Sequence, residues 1–363
     1  MLRVRAPLGA PRVRAPEVPG AGGDTHQAHA GGDDPARSDA ARGGGSTPTA
    51  EGIVVVDKPA GWTSHDVVAR MRKITGTRRV GHAGTLDPMA TGVLVVGIGL
   101  ATRLLGHIAG HGKAYTATIR LGWGTTTDDS EGERLVGEPA DGLGFDELLP
   151  AVELLTGTIM QRPSAVSAIK VDGRRAHERV RAGERVELPE RPVVVSVFDI
   201  AERRAVPDLG ALDLDVEVEC SSGTYIRALA RDLGAALGVG GHLTALRRVR
   251  VGGFTIDEAR TLEELAAERA DHGSIRVVGL AEAARSAFPV VAVTDADARA
   301  VRHGRPIELA RAWAPFRGIA GAQAGWSAHV EPHALFDFAG EFLALVVPDD
   351  DSSTRYLAVF SQP

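Results

Sequence analysis

The strictest alternation of apolar and polar positions in the chain runs through Leu212–Cys220. Leu212, Leu214, Val216 and Val218 alternate with Asp213, Asp215, Glu217 and Glu219. A period of two puts each set on its own face, so the segment predicts a β-strand with one dry and one wet side. Tyr115, Ala117, Ile119 and Leu121 alternate with Thr116, Thr118 and Arg120 in the same way. Ile53–Val56 and Val93–Ile98 are unbroken apolar runs of strand length. Val67, Met71 and Ile74 fall on one helical stripe, with Ser64 as the expected N-cap and Gly76 as the terminator. Gly76 to Thr91 reads as a glycine-rich loop. Ser221–Thr224 turns the alternating strand into a helix with the stripe Ile226, Leu229, Leu233 and Leu237, and Gly223 permits the sharp turn.

Strands with one wet face, separated by helices at irregular intervals, predict an α+β fold with an antiparallel sheet. The texture changes near residue 285. The short apolar runs Val290–Val293, Ala334–Phe338, Phe342–Val347 and Tyr356–Phe360 lie between Gly, Pro and Asp, which predicts a small β-rich C-terminal module over 286–363. Residues 1–50 carry almost no large apolar side chain and predict a disordered tail, for which an overlong assigned start is the plain explanation. The catalytic domain is therefore expected over 51–285.

Composition narrows the class. Apolar residues make up 44% of 363, enough for a sizeable core. The one cysteine, Cys220, excludes an internal disulfide and fits a reducing compartment. No run approaches the roughly 20 apolar residues of a spanning helix, and the arginine-containing N-terminus lacks the apolar core of a secretory signal. A cytoplasmic monomer is the expectation. The net charge of −6 argues against a broadly cationic nucleic-acid binder, but its distribution is uneven. Between Asp57 and Arg120 nine basic residues face three acidic ones, so a basic face on an acidic protein is the better description.

The segment Gly81-His82-Ala83-Gly84-Thr85-Leu86-Asp87-Pro88-Met89-Ala90-Thr91-Gly92 carries the most chemical information. Pro88 pushes Asp87 out of the helical region, and the glycines let a bulky partner approach. The result is a carboxylate displayed beside a histidine on the most basic part of the chain. A turn aspartate capping its own loop is the alternative. Tyr115 enters a strand after Lys113, and Tyr225 and Arg227 sit at a strand-to-helix junction. Either tyrosine could equally be a half-buried packing residue. Arg227 could form a surface face with Arg231, although like charges four apart repel slightly, which favours an anionic partner for one of them.

These segments resemble the TruB-type pseudouridine synthases. The resemblance is carried by Gly52-x4-Asp57-Lys58-Pro59-x-Gly61-x-Thr63-Ser64, by Gly81-His82-x-Gly84-Thr85-Leu86-Asp87-Pro88-x-Ala90-x-Gly92, and by Gly157-Thr-Ile-Met-Gln161-x-Pro163-x3-Ser167-Ala168-x-Lys170. Gly223-Thr-Tyr225-Ile226-Arg227 and Leu243-Thr-Ala-Leu246-Arg247-Arg248 complete it. Five ordered motifs cover roughly residues 52 to 256. The resemblance implies a pseudouridine synthase fold, with a mixed, mainly antiparallel sheet flanked by helices and a PUA-like C-terminal RNA-binding domain, isomerising a uridine in the T loop of transfer RNA. It implies Asp87 as nucleophile, Tyr115 stacked on the flipped uracil and helping to remove the C5 proton, and Arg227 paired with Asp87. Tyr225 would line the pocket, Leu246 would pack against the base, and His82 would fill the space the uridine leaves. Lys58 would brace the catalytic loop or touch phosphate. Two departures stand out: Arg162-Pro163-Ser164 breaks the family's usual pair of prolines, and His177 stands where a tyrosine is common. The C-terminal likeness is loose, with His303-Gly304-Arg305 and Leu335-Phe336-Asp337 as its best points.

That isomerisation breaks N1–C1′, turns the base and rejoins it through C5, with no redox change, so no cofactor or metal is expected. Extruding the base from its stack costs a few kcal/mol, which Tyr115 and His82 would partly return. Carboxylate catalysis splits one hard step into two. Three other readings use the same residues: an N-glycosidase that releases uracil, a guide-RNA-dependent synthase, and a tRNA-folding chaperone with incidental catalysis.

Overall fold

The computed structural model describes residues 51–165, 167, 170–171, 174–175, 188–308, 331–349 and 354–361. The 1–50 segment, Ala168 and His177 lie outside the described residues, as do the side chains of 170–171 and 174–175.

Eight strands build the main sheet: β1 (Gly52–Lys58), β2 (Val80–Ala83), β3 (Thr91–Ile98), β4 (Lys113–Leu121), β5 (Gly157–Gln161), β6 (Arg191–Val206), β7 (Ala211–Cys220) and β8 (Gly241–Val251). Their spatial order is β1-β3-β8-β4-β7-β6-β5, with β2 also on β3 and the short Phe254–Thr255 on β8. Every pairing is antiparallel except β3 with β8, where Arg247 lies opposite Thr91 and Arg248 opposite Gly92. The expected mixed, mainly antiparallel sheet is what forms. Its single parallel seam lies where the loop carrying Asp87 feeds into β3.

Burial explains the patterning. Ile53 and Val55 of β1, with Val93 and Val95 of β3, enter one apolar cluster, whereas Val54, Val56, Leu94 and Val96 enter another. Both faces of these strands are covered, so both parities are apolar. In β7 one parity (Leu212, Leu214, Val216, Val218) joins the core, and the other carries acids paired with Arg120 and Arg204. Helix α1 (Ser64–Thr75) and a later helix, α4 (Leu262–His272), cover one side of β1–β3 through Val67, Met71, Ile74, Leu262 and Leu265. Helices α2 (Phe145–Leu154) and α3 (Ile226–Ala236) cover the β4–β7 half through Leu148, Val152, Leu229 and Leu233.

Two local expectations are corrected. The N-cap of α1 is Thr63, whose hydroxyl accepts from the Asp66 N–H while the Asp66 carboxylate accepts from the Thr63 N–H; Ser64 is engaged elsewhere. Gly76 closes α1 in the left-handed conformation, as expected. The Gly76–Thr91 stretch is not loop throughout, because Val80–Ala83 pairs with β3 and places His82 on a strand. The long β6 and helix α2 lack a clean period in sequence and were not anticipated.

Past helix α5 (Leu280–Ala287), strands β9 (Val290–Ala292), β10 (His333–Phe336), β11 (Phe342–Pro348) and β12 (Thr354–Val359) form a second sheet in that order, with helix α6 (Asp295–Arg302) beside it. This is the anticipated β-rich module; one face of its sheet packs a core of its own, with Val291, Val301, Leu335, Leu343 and Val346, and the other face is shared. Ala334, Phe336, Phe342 and Leu345 share one apolar cluster with Ile53, Val55, Val93 and Val95. Arg103 donates to the Val359 carbonyl and lies over the Phe360 ring, and Arg285 lies over Phe336.

Candidate active site

Asp87 lies in the turn that leads into β3, and its side chain is 37% exposed. The turn is held from three directions. The Ser64 hydroxyl accepts from the Leu86 N–H at 2.9 Å and faces its carbonyl at 3.3 Å. The Lys58 ammonium, fully buried, donates to the carbonyls of Pro59, Trp62 and Pro88 at 2.9, 2.6 and 3.2 Å. The Arg248 guanidinium, also buried, donates to the carbonyls of Val93 and Gly84 at 2.8 and 3.0 Å. Gly92 completes the seam: its φ is +95°, and a Cβ there would lie 2.2 Å from the Arg248 carbonyl oxygen. Every larger residue is excluded at that crossing.

Lys58 therefore braces the loop and is not available to phosphate, since all three of its protons go to backbone carbonyls. Burial lowers its pKa to about 8, with nearby Asp87 opposing the shift.

Against the other side of Asp87 stands Arg227, in the first turn of α3 and 3% exposed. Its Nη2 donates to Asp87 Oδ1 at 3.1 Å and its Nε lies 3.0 Å from Oδ2 in an ion pair, so the guanidinium addresses both carboxylate oxygens. The surface-face alternative for Arg227 is thus wrong. The repulsion expected between Arg227 and Arg231 is relieved by separate anions, because Arg231 pairs with Asp128 and Asp232. The third nitrogen of Arg227, Nη1, donates to the Thr127 carbonyl at 2.9 Å and lies 3.2 Å from Asp129 Oδ2. Asp129 is buried, and its other oxygen accepts from the Thr127 hydroxyl and the Glu131 N–H.

Tyr115 on β4 lies opposite Arg248 on β8 and shares its apolar cluster with Leu86, Ala90 and Leu246. Burial pushes its phenol up to about 12, and hydrogen-bonded Arg248 pulls the other way. At neutral pH it is a phenol, which suits stacking and makes it a poor proton acceptor without help. Leu246 is buried beside it. His82 is half-buried, with its ring edge-on to His65 at 5.7 Å between centroids. Burial and then the His65 and Arg248 charges lower its pKa, so the neutral ring dominates at neutral pH. Tyr225 is held by its backbone: its N–H donates to Gln161 Oε1 at 2.8 Å and its carbonyl accepts from Gln161 Nε2 at 3.1 Å. Its ring lies under the Arg191 guanidinium. Among the described residues, no group of three His, Cys, Asp or Glu side chains could hold a metal ion.

With this geometry in hand, comparison with known proteins is decisive. The N-terminal domain of TruB family pseudouridylate synthases matches residues 72–226, and the tRNA pseudouridylate synthase B C-terminal domain matches residues 227–278. The chain belongs to the TruB family. It is 55% identical over 314 residues to tRNA pseudouridine synthase B of Thermobifida fusca, covering 86% of this chain and 99% of that one. It is 59% identical over 258 residues to tRNA pseudouridine synthase B of Rhodococcus jostii, covering 71% and 82%. Among solved structures it resembles a Cbf5-Nop10-Gar1 complex at 26% identity and TM-score 0.63, over 86% of this chain and 85% of that one. An H/ACA RNP bound to a substrate RNA containing 2'-deoxyuridine is similar at 27% identity and TM-score 0.57, over 82% and 77%.

The TruB motifs thus converge on one place. Asp87, Arg227, Tyr115 and Leu246 gather around the β3–β8 seam, with Lys58 beneath and His82 on neighbouring β2. Sequence reasoning missed Asp129 and the bracing role of Arg248. Arg248 stood inside a quoted motif; the signal for Asp129 was the polar run Thr125–Asp129 soon after β4, which reads as an ordinary turn.

Proposed function

We propose that this TruB family chain isomerises uridine to pseudouridine in transfer RNA, at the T-loop uridine of position 55, with Asp87 as nucleophile. The observation that carries the reading is the Asp87–Arg227 fork, set in the family's own motif on a half-exposed loop. A flipped uracil would stack on Tyr115 and pack against Leu246. The neutral His82 ring would occupy the vacated stack, and Tyr225 would contribute to the outer wall. Arg227 keeps the carboxylate aimed when RNA covers the site. The C-terminal sheet would act as a PUA-like RNA contact. A tRNA substrate fits relatives that are 51–59% identical and named tRNA pseudouridine synthase B.

The test is a single-turnover reaction on an unmodified tRNA transcript with no other component. One pseudouridine at the T-loop position, with no free uracil, is expected. Asp87→Asn should abolish it while leaving RNA affinity within a few-fold. Released uracil would indicate a glycosidase, and a requirement for added guide RNA would favour the guide-dependent reading that the H/ACA likeness suggests.

A further inference from the structure

Asp128 has a backbone φ of +61°, the one positive value at a non-glycine residue among the described residues. A left-handed aspartate persists only where its surroundings over-determine it, and such positions cluster at functional sites. Its neighbours in sequence are the two residues that hold the far side of Arg227: Thr127 through its carbonyl and Asp129 through its carboxylate. The left-handed turn at 128 lets both groups address one guanidinium.

The side chain of Asp128 is anchored from two sides. Ser164 is fully buried and donates its hydroxyl to Asp128 Oδ2 at 2.6 Å. Arg231, one helical turn beyond Arg227, donates to the same oxygen at 3.2 Å and to the Arg162 carbonyl at 2.7 Å. The Asp128 carbonyl accepts from the Leu243 N–H at 3.1 Å, tying the turn to β8. The segment that supplies Ser164 begins at Gln161, which clamps the backbone of Tyr225 at the start of α3. One short segment therefore fixes both the helix that presents Arg227 and the turn that backs it.

We propose that Asp128 is a positioning residue for the reaction: Ser164 and Arg231 hold its carboxylate, which fixes the turn that aims Thr127 and Asp129 at Arg227. This rests on the reading of Asp87 and Arg227 as the working pair. It acts through Arg227 and has no contact with the reacting atoms.

The test uses the full chain, a tRNA transcript and single-turnover rates at saturating enzyme, alongside RNA affinity and melting temperature. Asp128→Ala should slow the bound reaction roughly 10- to 100-fold, the scale of small misplacements at a catalytic group, with affinity within about threefold. Asp128→Asn should stay within about threefold of the parent, because asparagine tolerates the left-handed region and keeps an acceptor for Ser164. Combined with Arg227→Lys, the loss from Asp128→Ala should fail to multiply, since both act on one network. Parent rate in folded Asp128→Ala, or fully multiplicative losses, would overturn the proposal. If Asp128→Ala does not fold, Ser164→Ala carries the test: a slowed bound step supports the proposal and parent rate overturns it. Asp87→Asn runs in parallel. An active Asp87→Asn defeats the reading of the site itself, whereas an inactive one beside a full-rate Asp128→Ala defeats the positioning role alone.

Discussion

Arg227 stands between two carboxylates, with Nε and Nη2 on Asp87 at 3.0 and 3.1 Å and Nη1 on Asp129 at 3.2 Å. The two acids are unlike in setting. The Asp87 side chain is 37% exposed and that of Asp129 is 4% exposed. The inner acid orients the guanidinium, and the guanidinium orients the outer acid.

Lysine at 227 supplies charge without the fork. Arg227→Lys should retain the fold and RNA affinity and lose roughly ten- to a thousandfold in single-turnover rate. Turnover at the parent rate would mean that charge alone suffices.

Asp129→Asn keeps the size and an acceptor but removes the charge behind Arg227. The bound reaction should slow by about tenfold or more, because the guanidinium loses the anion that directs it. The same comparison at higher ionic strength should give the same ratio, since a buried pair is little screened. A ratio that collapses with salt would place the effect on RNA binding instead.

Tyr115→Phe separates stacking from the hydroxyl. Affinity should remain near that of the parent while release of tritium from C5 of labelled uridine slows. An unchanged rate would reduce Tyr115 to a stacking surface, in keeping with a phenol held near 12.

Lys58 gives a pH signature. Its folded pKa is near 8 against an ordinary 10.5. Between those values the unfolded chain holds a proton that the folded protein has released, so raising the pH through this window favours the folded state. Relative to Lys58→Met, the parent should gain melting temperature from pH 8 to 10. Activity should move the other way, because a neutral amine has only two protons for three carbonyls. Parallel melting curves for the two proteins across this range would refute the assignment.

Every catalytic candidate precedes residue 286, which alone would have removal of 286–363 weaken RNA binding and spare the chemistry. The shared core changes that expectation. Deleting Phe336, Phe342 and Leu345 strips cover from Ile53, Val55, Val93 and Val95 in the shared cluster, and at about 2 kcal/mol for each side chain re-exposed the loss is comparable to the whole net stability of a domain. The truncated chain should be insoluble or lack a cooperative melt. A soluble fragment with the parent's melting temperature would show that the first sheet closes its own core.

The sequence was legible where one period dominated. The alternation in β7, the stripe of α1 and the turn at Gly223, whose φ is +85°, needed no tertiary information. The site was less so. Asp87 and Arg227 are 140 residues apart, and nothing local pairs them; only the family's motifs did. Lys58 reads as a surface cation until the carbonyls of Pro59, Trp62 and Pro88 are seen around it. Asp129 reads as a turn residue because its burial is created by α3, an element a hundred residues later. Thr63 and Ser64 are equally good caps on paper, and the Ser64 contact with Leu86 decides between them.

The union of the two sheets also has a temporal meaning. Strand β1 waits for side chains near residue 345 to seal one of its faces, so a nascent chain emerging from the ribosome cannot finish its first strand's packing until nearly all of it has been made. Every motif for base recognition will by then have been exposed for most of synthesis. The Asp87 turn has its braces Lys58, Ser64 and Arg248 by residue 248, but the strand it leads into is covered on one face only at the close. Full cover of β1 and β3 is thus a property acquired late, by a protein whose first strand is completed by its last sheet.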